Sequence, residues 1–399
     1  MKPTRGAAWC LLLSLIGSSL SGYLYYLHLG LLRGELLGGA ACGAAGSAFN
    51  CHAVTAGPWG QFLGIPLALW GLVGYVAVLA LSLLGRQADG AGEHAVTLIF
   101  LLAVVFVGID LVLFAHMAFV IRLYCLFCLL TYAINLSLLA VSARSLAFPW
   151  PRAAGQLGGA LRALAPSPRR PGTDLFWGIL LVGILAIAGM HTATVFVSRG
   201  TLSNFRSQMR DFATRQPRVS VDVTGDPAVG PADAPLLVAE FSDFLCPVCQ
   251  RASRLNAIML ANHRRDVRFV FKHYPLDMSC NDKVPRVVHA GACQVAAASE
   301  CAHLQGRFWA FHDLVFEKGH AYEVSGIERD AARIGLDLTR FKACMESGQG
   351  MEAVKRDVAE GAKIGVSSTP TYVVNGLPMN GLINPSVFED LVEVLRENR

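Results

Sequence analysis

Charged residues are scarce in this chain of 399 residues, at 16% of the total. Acidic residues are scarcest in the first half, where residues 1–197 contain five Asp and Glu against ten Lys and Arg. The remaining residues contain 24 of each kind, so the net positive charge belongs entirely to the apolar half. A nucleic-acid-binding protein needs a basic face on a folded polar domain, and the composition argues against that class. The chain also lacks internal repeats and extended low-complexity tracts.

Long apolar runs dominate the first half of the chain. A helix needs about 20 apolar residues to cross a bilayer core, and five runs reach that length: 7–29, 62–84, 95–121, 125–143 and 175–197. We therefore predict five membrane-spanning helices. The first run also fits a cleaved signal peptide, because small residues follow its apolar stretch. Both interpretations leave the later topology unchanged.

The loops between these runs differ in their content of Lys and Arg. Cytoplasmic loops carry an excess of both residues. With the N-terminus inside, eight of them fall on one side, and only Arg33 and Arg122 fall on the other. This orientation places the segment 42–51, the start of the run 125–143 and the whole polar half outside. The segment 148–172, rich in Pro, Gly, Ala and Arg, is then a cytoplasmic linker.

Three cysteine pairs follow one another along the chain: Cys42 with Cys51, Cys125 with Cys128, and Cys246 with Cys249. The middle pair opens an apolar run, and residues three and four apart share one face of a helix. Cys125, Cys128 and Tyr132 should therefore form one stripe that faces an oil-soluble partner. Eleven cysteines, six of them in the polar half, suit an oxidising compartment. The three pairs together suggest an electron relay.

The polar half alternates predicted strands and helices. A buried strand at 235–241 leads directly into Cys246, and a helix should follow it. A second strand at 267–274, an Ala-rich helical stretch at 285–364, a strand after Pro370 and a closing helix at 388–397 complete the pattern. This order predicts a thioredoxin-type α/β domain with an inserted helical lobe.

Several segments of the first half carry a family resemblance: Cys42, Phe49-Asn50-Cys51, Trp59-Gly60, Phe62-Leu63-Gly64-Ile65-Pro66-Leu67-Ala68-Leu69-Trp70-Gly71, Cys125-Leu126-Phe127-Cys128 and Thr131-Tyr132-Ala133-Ile134-Asn135. In this order they resemble the vitamin K epoxide reductase family, in its bacterial form fused to a thioredoxin-like domain. The resemblance covers residues 7–143. It implies a four-helix bundle around a quinone, with Cys125 and Cys128 as the catalytic disulfide and Cys42 and Cys51 as a shuttle pair. It also implies that Cys128 faces the quinone while Cys125 exchanges with Cys51.

Elementary chemistry agrees with these implied roles. Unpaired N–H groups at a helix start stabilise a thiolate, and Cys125 stands at such a start. Tyr132, one turn beyond Cys128, can donate its O–H to a quinone carbonyl, although an interfacial aromatic anchor is the alternative. Asp110, in the middle of an apolar run, either relays protons or makes a structural hydrogen bond.

Two features of the same half bear on the shuttle pair and on the quinone. Cys42 and Cys51 are joined through 43–47, a Gly- and Ala-rich segment that we expect to be flexible; a static structural disulfide is the alternative for this pair. Leu67 stands where vertebrate members of the family carry a polar Asn, which removes one hydrogen bond to the quinone from the expected site.

The polar half resembles DsbA-like disulfide oxidoreductases over residues 219–399. The resemblance rests on Glu240-Phe-Ser-Asp-Phe-Leu-Cys246-Pro247-Val248-Cys249 and on Thr369-Pro370, which is similar to their cis-proline loop. It implies that Cys246 is the exposed attacking thiol of low pKa and Cys249 its buried partner. It further implies that Glu240 is a buried acid that exchanges a proton with Cys249. The alternatives are a surface carboxylate at Glu240 and an ordinary trans proline at Pro370.

Four further cysteines lie in the polar half, and four cysteines allow three pairings. We favour structural disulfides between Cys280 and Cys293 and between Cys301 and Cys344. A zinc site built from the two Cys-x-x-Cys pairs is set aside, because one pair begins a membrane helix and the other lies in a thioredoxin-like fold. No metal is therefore expected.

We therefore expect a four-helix membrane domain at 1–147, a linker with a fifth membrane helix (175–197) and a periplasmic connector at 148–218, and a DsbA-like domain at 219–399. The expected function is disulfide formation in exported proteins at the periplasmic face of a bacterial inner membrane. Electrons would pass from substrate thiols to Cys246/Cys249, then to Cys42/Cys51, then to Cys125/Cys128, and finally to ubiquinone or menaquinone. A reductive isomerase pathway and a membrane-tethered thiol chaperone without turnover are the alternatives.

Overall fold

A computed structural model of the chain describes residues 3–32, 35–42, 48–86, 90–146, 176–192 and 215–397. The described residues fall into two compact units, the first ending at residue 192 and the second beginning at residue 215. The predicted linker at 148–172 and the predicted flexible segment at 43–47 lie outside the described residues.

The first unit consists mainly of helices. They are α1 Pro3–Leu32, α2 Cys51–Ala56, α3 Leu67–Leu84, α4 Gly90–His116, α5 Leu126–Leu146 and α6 Phe176–Thr192. Four stretches are long and apolar enough to cross a membrane: Arg5–Leu32, Leu67–Leu84, His94–Ile121 and Leu126–Leu146. The prediction of four apolar helices ahead of an α/β domain is confirmed. The predicted fifth span appears as α6, which is apolar but shorter than these four, and its last predicted residues lie outside the described part.

Small side chains allow the apolar helices to approach one another closely. Helix α1 packs against α3 and α5, and α4 packs against α5 and α3. On α1, a Cβ at Gly17 would overlap the ring of Tyr75 on α3. On α3, a Cβ at Gly71 would meet the hydroxyl of Ser21 on α1. These glycines therefore permit the contact between α1 and α3, as small residues generally do between membrane helices.

Short elements connect the helices at the ends of the bundle. They are the 3₁₀ turns Gly39–Cys42 and Pro58–Gly60, the antiparallel strands β1 Gln61–Phe62 and β2 Ile65–Pro66, and the π-helical turn Met117–Ile121 that continues α4. A left-handed residue, Arg122, ends the π-helical turn. The chain then reaches Cys125 and the start of α5.

The second unit is built on a five-stranded sheet of order β3-β5-β4-β6-β7. The strands are β3 Ala228–Val229, β4 Leu236–Ser242, β5 Val267–His273, β6 Thr371–Val374 and β7 Leu377–Asn380. Only β4 and β5 run parallel; the other pairs are antiparallel. The two parallel strands therefore end side by side, and the residues that follow them meet at one edge of the sheet.

Helices cover both faces of this sheet. They are α7 Pro247–Asn262, α8 Ala292–His303, α9 Phe308–Lys318, α10 Ile327–Arg333, α11 Leu338–Ser347, α12 Gln349–Lys363 and α13 Pro385–Glu397. Successive strand residues point to opposite faces: Val238 packs with α7 and α13, whereas Ala239 packs with α8 and α12. Helices α8 to α12 lie between β5 and β6 in the chain. The prediction of a thioredoxin-like fold with a helical insertion is confirmed.

Two disulfides close loops in and beside the helical insertion. One joins Cys280 to Cys293, 13 residues apart, and the other joins Cys301 in α8 to Cys344 in α11, 43 residues apart. Cross-linking removes chain entropy from the unfolded state, and the effect grows with the length of the closed loop. The second disulfide should therefore stabilise the unit more than the first.

We predict that replacing Cys301 and Cys344 by Ala lowers the free energy of unfolding by about 1 kcal/mol more than replacing Cys280 and Cys293, which is the difference between the two loop-closure entropies. Urea unfolding of the solubilised chain, followed by pulse proteolysis of the 215–397 region, measures both losses. An equal loss for the two double variants would contradict the entropic account.

Candidate active site

The middle cysteine pair lies at the start of α5. Cys125 immediately precedes the helix and is bonded to Cys128 in its first turn. The backbone N–H of Cys128 also donates to Cys125 Sγ over 3.2 Å, as expected for a sulfur placed at the unpaired amides of a helix start. Cys125 is completely enclosed, whereas Cys128 is partly exposed and lines a cavity. The two sulfurs therefore face different surroundings.

The first cysteine pair lies against the second. Cys42 ends a 3₁₀ turn, Cys51 begins α2, and both pack in one apolar cluster with Cys125. Burial, together with a hydrogen bond to Cys51, raises the pKa of the Cys42 thiol to about 12. Both residues are almost completely enclosed, at 1% and 0% exposure. The cluster thus brings together two cysteine pairs that are more than 70 residues apart in sequence.

Backbone hydrogen bonds hold these two pairs together. The N–H of Asn50 donates to the carbonyl of Tyr124 over 2.8 Å, and the N–H of Tyr124 donates to the carbonyl of Ala48 over 2.8 Å. The next residue after each bridged segment is a cysteine, Cys51 on one side and Cys125 on the other. Asn50 also caps α2, because its Oδ1 accepts from the N–H of Ala53 over 2.9 Å.

A cavity of about 200 Å³ opens beside Cys128. Its polar lining groups are Ser21, His28, Thr55, Asp110, His116, Cys128, Thr131, Tyr132, Tyr75 and Asn135. The remainder of the wall is mostly apolar and includes Trp59, Trp70, Phe106 and Leu67. Cys125 is absent from the lining among the described residues. The structure thus places Tyr132 and Cys128 at one cavity and turns Cys125 towards the Cys42/Cys51 pair.

A chain of hydrogen bonds crosses the wall of this cavity. Asn135 Nδ2 donates to Asp110 Oδ2 over 2.9 Å, and the hydroxyl of Tyr75 donates to Asn135 Oδ1 over 2.8 Å. Asp110 therefore makes a structural hydrogen bond within the bundle. Its role in proton transfer stays a prediction. The position of the carboxyl on the cavity wall is compatible with that role, because a ligand there could exchange a proton with it.

His28 is a polar group of the cavity wall whose hydrogen bonding is incomplete. The side chain is 6% exposed, and its Nδ1 has no hydrogen-bond partner among the described residues. A buried polar atom without a partner is costly, and a ligand oxygen in the cavity would satisfy it. An apolar pocket with a few convergent polar groups suits a flat ligand that carries carbonyl oxygens, so the residues present fit a quinone.

The third cysteine pair lies at the start of α7 in the second unit. Cys246 caps the helix and Pro247 occupies its first turn. A hydrogen bond from Cys249 lowers the pKa of the Cys246 thiol to about 6, and the backbone N–H groups of Cys249 and Val248 add to the effect. Burial raises the pKa of Cys249 well above its ordinary value. The two thiols are therefore chemically unequal, which thiol exchange requires of an attacking and a resolving cysteine.

Cys246 is less exposed than we expected. It is 6% exposed, and its Sγ faces the carbonyl of Thr369 at 3.7 Å. The segment Thr369–Pro370 covers the sulfur because β6, which begins at Thr371, pairs directly with β4. The peptide bond between Thr369 and Pro370 is cis. The expectation of an exposed Cys246 thiol is therefore wrong, because the segment Thr369–Pro370 covers it.

Glu240 lies beneath the cysteines in the central strand β4. It is 2% exposed, so it is not a surface carboxylate. Its Oε2 accepts from Asn256 Nδ2 over 2.6 Å, and Asn256 Oδ1 in turn accepts from the hydroxyl of Tyr372 over 3.0 Å. Burial raises the pKa of Glu240 to about 8. The carboxyl therefore retains a proton at neutral pH, in electrostatic contact with Cys249.

A second buried acid, Asp243, lies in the turn between β4 and Cys246. Its Oδ1 accepts from the N–H of Leu245 over 2.8 Å. Its Oδ2 accepts from the N–H of Leu276 over 2.8 Å and faces His289 Nδ1 at 2.7 Å. Asp243 and His289 could not be recognised as partners from the sequence, because 46 residues separate them.

Comparison with known proteins agrees with this architecture. Residues 8–143 match the model of the vitamin K epoxide reductase family. Residues 222–394 match a thioredoxin model. The chain therefore carries a vitamin K epoxide reductase domain followed by a thioredoxin-like domain.

Two curated relatives are sodium/proton antiporters. The chain is 33% identical over 212 residues to Na(+)/H(+) antiporter NhaA 3 of Salinispora tropica, which covers 50% of this chain and 31% of that protein. It is 34% identical over 176 residues to Na(+)/H(+) antiporter NhaA of Herminiimonas arsenicoxydans, and this match covers 44% of this chain and 26% of that protein. The chain thus spans about a third or less of the length of these curated relatives.

Two solved structures resemble part of the chain. A thioredoxin-like oxidoreductase from Silicibacter pomeroyi is 26% identical, with 44% of this chain and 94% of that chain covered and a TM-score of 0.38. Oxidised BdbD from Bacillus subtilis is 23% identical, with 45% of this chain and 100% of that chain covered and a TM-score of 0.39.

Only some of the residues around the cavity could be recognised from the sequence. In the vitamin K epoxide reductase domain, the structure assembles the four predicted cysteines and Tyr132, but it adds Tyr75, Asn135 and His28 to the cavity wall. His28 was visible as an isolated ionisable group in the first apolar run. Among the described residues, no three His, Cys, Asp or Glu side chains are grouped so that they could hold a metal ion.

We predict that the difference in the free energy of unfolding between Glu240→Gln and wild type shifts in favour of the variant as pH rises from 5 to 8. An unfolded Glu is ionised above its ordinary pKa of 4.5, whereas folded Glu240 keeps its proton up to about pH 8. The folded state therefore binds more protons between these values, and the free energy of unfolding falls as pH rises, by at most about 1.4 kcal/mol per pH unit.

Gln removes this dependence and can still accept the hydrogen bond from Asn256. Guanidinium unfolding of wild type and variant between pH 5 and 8 measures the difference, with the exposed Glu352→Gln as the matched control. A constant offset between Glu240→Gln and wild type across this range would show that Glu240 is ionised in the folded protein.

Proposed function

We propose that the chain is a thiol oxidase that forms disulfides in exported proteins and delivers the electrons to a membrane quinone. The observation that carries this proposal is the contact between two cysteine pairs at an apolar cavity. Cys42 and Cys51 pack against Cys125, while its partner Cys128 lines the cavity. In this proposal residues 1–147 are the four-helix membrane domain, 148–218 are the linker with a fifth membrane helix and a periplasmic connector, and 219–399 are the DsbA-like domain.

The first exchange takes place at the thioredoxin-like domain. A substrate thiolate attacks the sulfur of Cys246 in the Cys246–Cys249 disulfide, a substrate–Cys246 bond forms, and Cys249 leaves with the electron pair. The neutral carboxyl of Glu240 supplies a proton to the Cys249 thiolate. A second substrate thiolate then attacks the substrate sulfur of the mixed disulfide, which releases a substrate disulfide and the Cys246 thiolate. Its lowered pKa makes Cys246 a good leaving group.

The reduced Cys246/Cys249 pair passes its electrons to a Cys42–Cys51 disulfide by the same chemistry. The Cys51 thiolate then attacks Cys125 Sγ, a Cys51–Cys125 bond forms, and Cys128 leaves as a thiolate in the cavity. Attack of Cys42 on Cys51 restores the Cys42–Cys51 disulfide and releases Cys125. The two electrons then reside on the Cys125/Cys128 dithiol, with Cys128 on the cavity wall.

The cavity residues would hold the quinone, whether ubiquinone or menaquinone. A bound quinone supplies an acceptor for two electrons and two protons. Tyr132 and His28 would offer hydrogen-bond donors to its oxygens, and Trp59, Trp70 and Phe106 would supply an apolar wall for its ring. Asp110 accepts a hydrogen bond from Asn135 on the cavity wall, where its carboxyl is placed to relay protons to the cavity.

The distribution of Lys and Arg supports the location of this chemistry. With the N-terminus in the cytoplasm, the three cysteine pairs share the periplasmic side of a bacterial inner membrane. Reduced exported proteins and membrane quinone are then both accessible to the chain. No nucleic acid or metal takes part in the proposed reaction.

We predict that the full chain reduces a soluble quinone when it is given a reduced, unfolded dithiol protein under anaerobic conditions. Cys128→Ala should abolish quinol formation, because no sulfur then remains on the cavity wall to transfer electrons. Cys246→Ala should lose turnover with the protein substrate but retain it with a small dithiol that reaches Cys42/Cys51 directly. Quinol is followed by its absorbance.

The same assay separates the alternatives. Disulfide reduction or reshuffling without quinol formation would assign the chain to a reductive isomerase pathway. Substrate binding without turnover, unaffected by quinone, would indicate a thiol-dependent chaperone. Either result would overturn the proposed oxidase.

We also predict that Cys42→Ala/Cys128→Ala, when treated with the thiol oxidant diamide, accumulates a disulfide between Cys51 and Cys125. Neither remaining sulfur can be released, because the partner that would resolve each one is absent. Peptide mass spectrometry of the non-reduced chain detects this bond. The reciprocal variant Cys51→Ala/Cys125→Ala is the matched control and should not cross-link Cys42 to Cys128, because Cys128 faces the cavity. Cross-linking of the control alone would reverse the assigned order.

A further inference from the structure

We propose that His289, held by Asp243, is a positioning residue that stabilises the thiolate of Cys246 with a positive charge. The inference deepens the proposed function, since it rests on thiol exchange at Cys246. It gives a role to two residues that neither Cys-x-x-Cys motif contains.

The geometry of the turn before Cys246 carries the inference. Asp243 is 1% exposed, and its backbone carbonyl accepts from the N–H of Cys246 over 3.1 Å. The carboxylate of the same residue contacts His289 Nδ1 at 2.7 Å. One residue therefore binds both the nucleophilic cysteine and the imidazole, which places the imidazole beside the active-site turn.

The loop that carries His289 is held rigidly at this position. The N–H groups of Val288 and His289 both donate to the carbonyl of Leu276, over 3.0 and 3.1 Å, and the N–H of Leu276 donates to Asp243. The Cys280–Cys293 disulfide closes the same loop. A charge held on a fixed loop is more effective than one on a mobile chain, because little ordering entropy is lost when the thiolate forms.

Electrostatics give the pair its function. A buried carboxylate three residues before Cys246 would by itself oppose a thiolate there, because like charges disfavour each other. An imidazolium at His289 neutralises Asp243 and adds an attractive interaction with Cys246. The hydrogen bond to Asp243 raises the pKa of His289, and the charges of Asp243 and Cys246 act in the same direction. His289 is therefore more readily protonated than an ordinary histidine.

Within the described part of the chain, the other titratable groups that interact with Cys246 do not supply a positive charge. Glu240 from β4 and Cys249 from α7 interact electrostatically with the Cys246 site, and both are neutral or negative. Asp243 lies in the intervening turn. Among the groups whose interaction with Cys246 the structure shows, His289 is the cationic one.

The charge matters at one defined step of the exchange. When the second substrate thiolate attacks the mixed disulfide, a bond forms between two substrate sulfurs, the bond to Cys246 breaks, and the electron pair stays on Cys246. Stabilising that thiolate lowers the barrier to its departure and favours the reduced form of the pair. His289 therefore makes the Cys246–Cys249 disulfide more oxidising.

The test measures the thiolate of Cys246 in the full-length, reduced, solubilised chain. Alkylation by iodoacetamide is timed between pH 3 and 9, and mass spectrometry quantifies the modified Cys246 peptide. We expect the midpoint of the alkylation profile to rise by about one pH unit in His289→Gln, a tenfold loss of thiolate below the midpoint. His289→Lys keeps the charge and should stay near wild type. His303→Gln, a matched change elsewhere in the domain, should have no effect.

The disulfide equilibrium with glutathione provides a second readout. A tenfold loss of thiolate stabilisation in His289→Gln corresponds to a potential about 30 mV more reducing, with His289→Lys again near wild type. An unchanged midpoint in His289→Gln would overturn the proposal, as would equal shifts in the Gln and Lys variants, because a packing role does not distinguish them. Neither readout requires quinone, so failure of the proposed oxidase would leave this result intact.

Discussion

Two hydrogen bonds between Tyr124 and the segment Ala48–Asn50 hold the two cysteine pairs of the membrane domain next to each other. They join two loops that would otherwise be independent, and each bridged segment leads directly into a cysteine. Cys51 and Cys125 consequently meet in one enclosed cluster. Because the next helical turn carries Cys128 to the cavity wall, the same bridge connects the enclosed cysteines to an apolar cavity.

The thioredoxin-like domain uses burial to make two neighbouring sulfurs unequal. Cys246 lies at the amides of a helix start, which stabilise a thiolate, whereas Cys249 lies deeper and above the protonated carboxyl of Glu240. A proton is thus held beside Cys249, and a negative charge is favoured on Cys246. Asp243 and His289 extend the same principle to the turn before the helix.

Much of this arrangement could be predicted from local pattern. Apolar runs of sufficient length predicted the four long helices, and the order of strands around Cys246 and Pro370 predicted the thioredoxin-like fold. The exposure of Cys246 could not be predicted in this way. It depends on β6 pairing with β4, which brings Thr369 over the sulfur from more than 100 residues away.

The sequence by itself determined where each reactive sulfur stands on its own element, because helix starts, apolar length and Cys-x-x-Cys spacing are local properties. Only the tertiary structure decided which groups meet. The hydrogen bond of Tyr75 to Asn135 spans 60 residues, and that of His289 to Asp243 spans 46. Such contacts form because buried polar groups must find partners wherever packing brings them together, and no spacing along the chain records that choice.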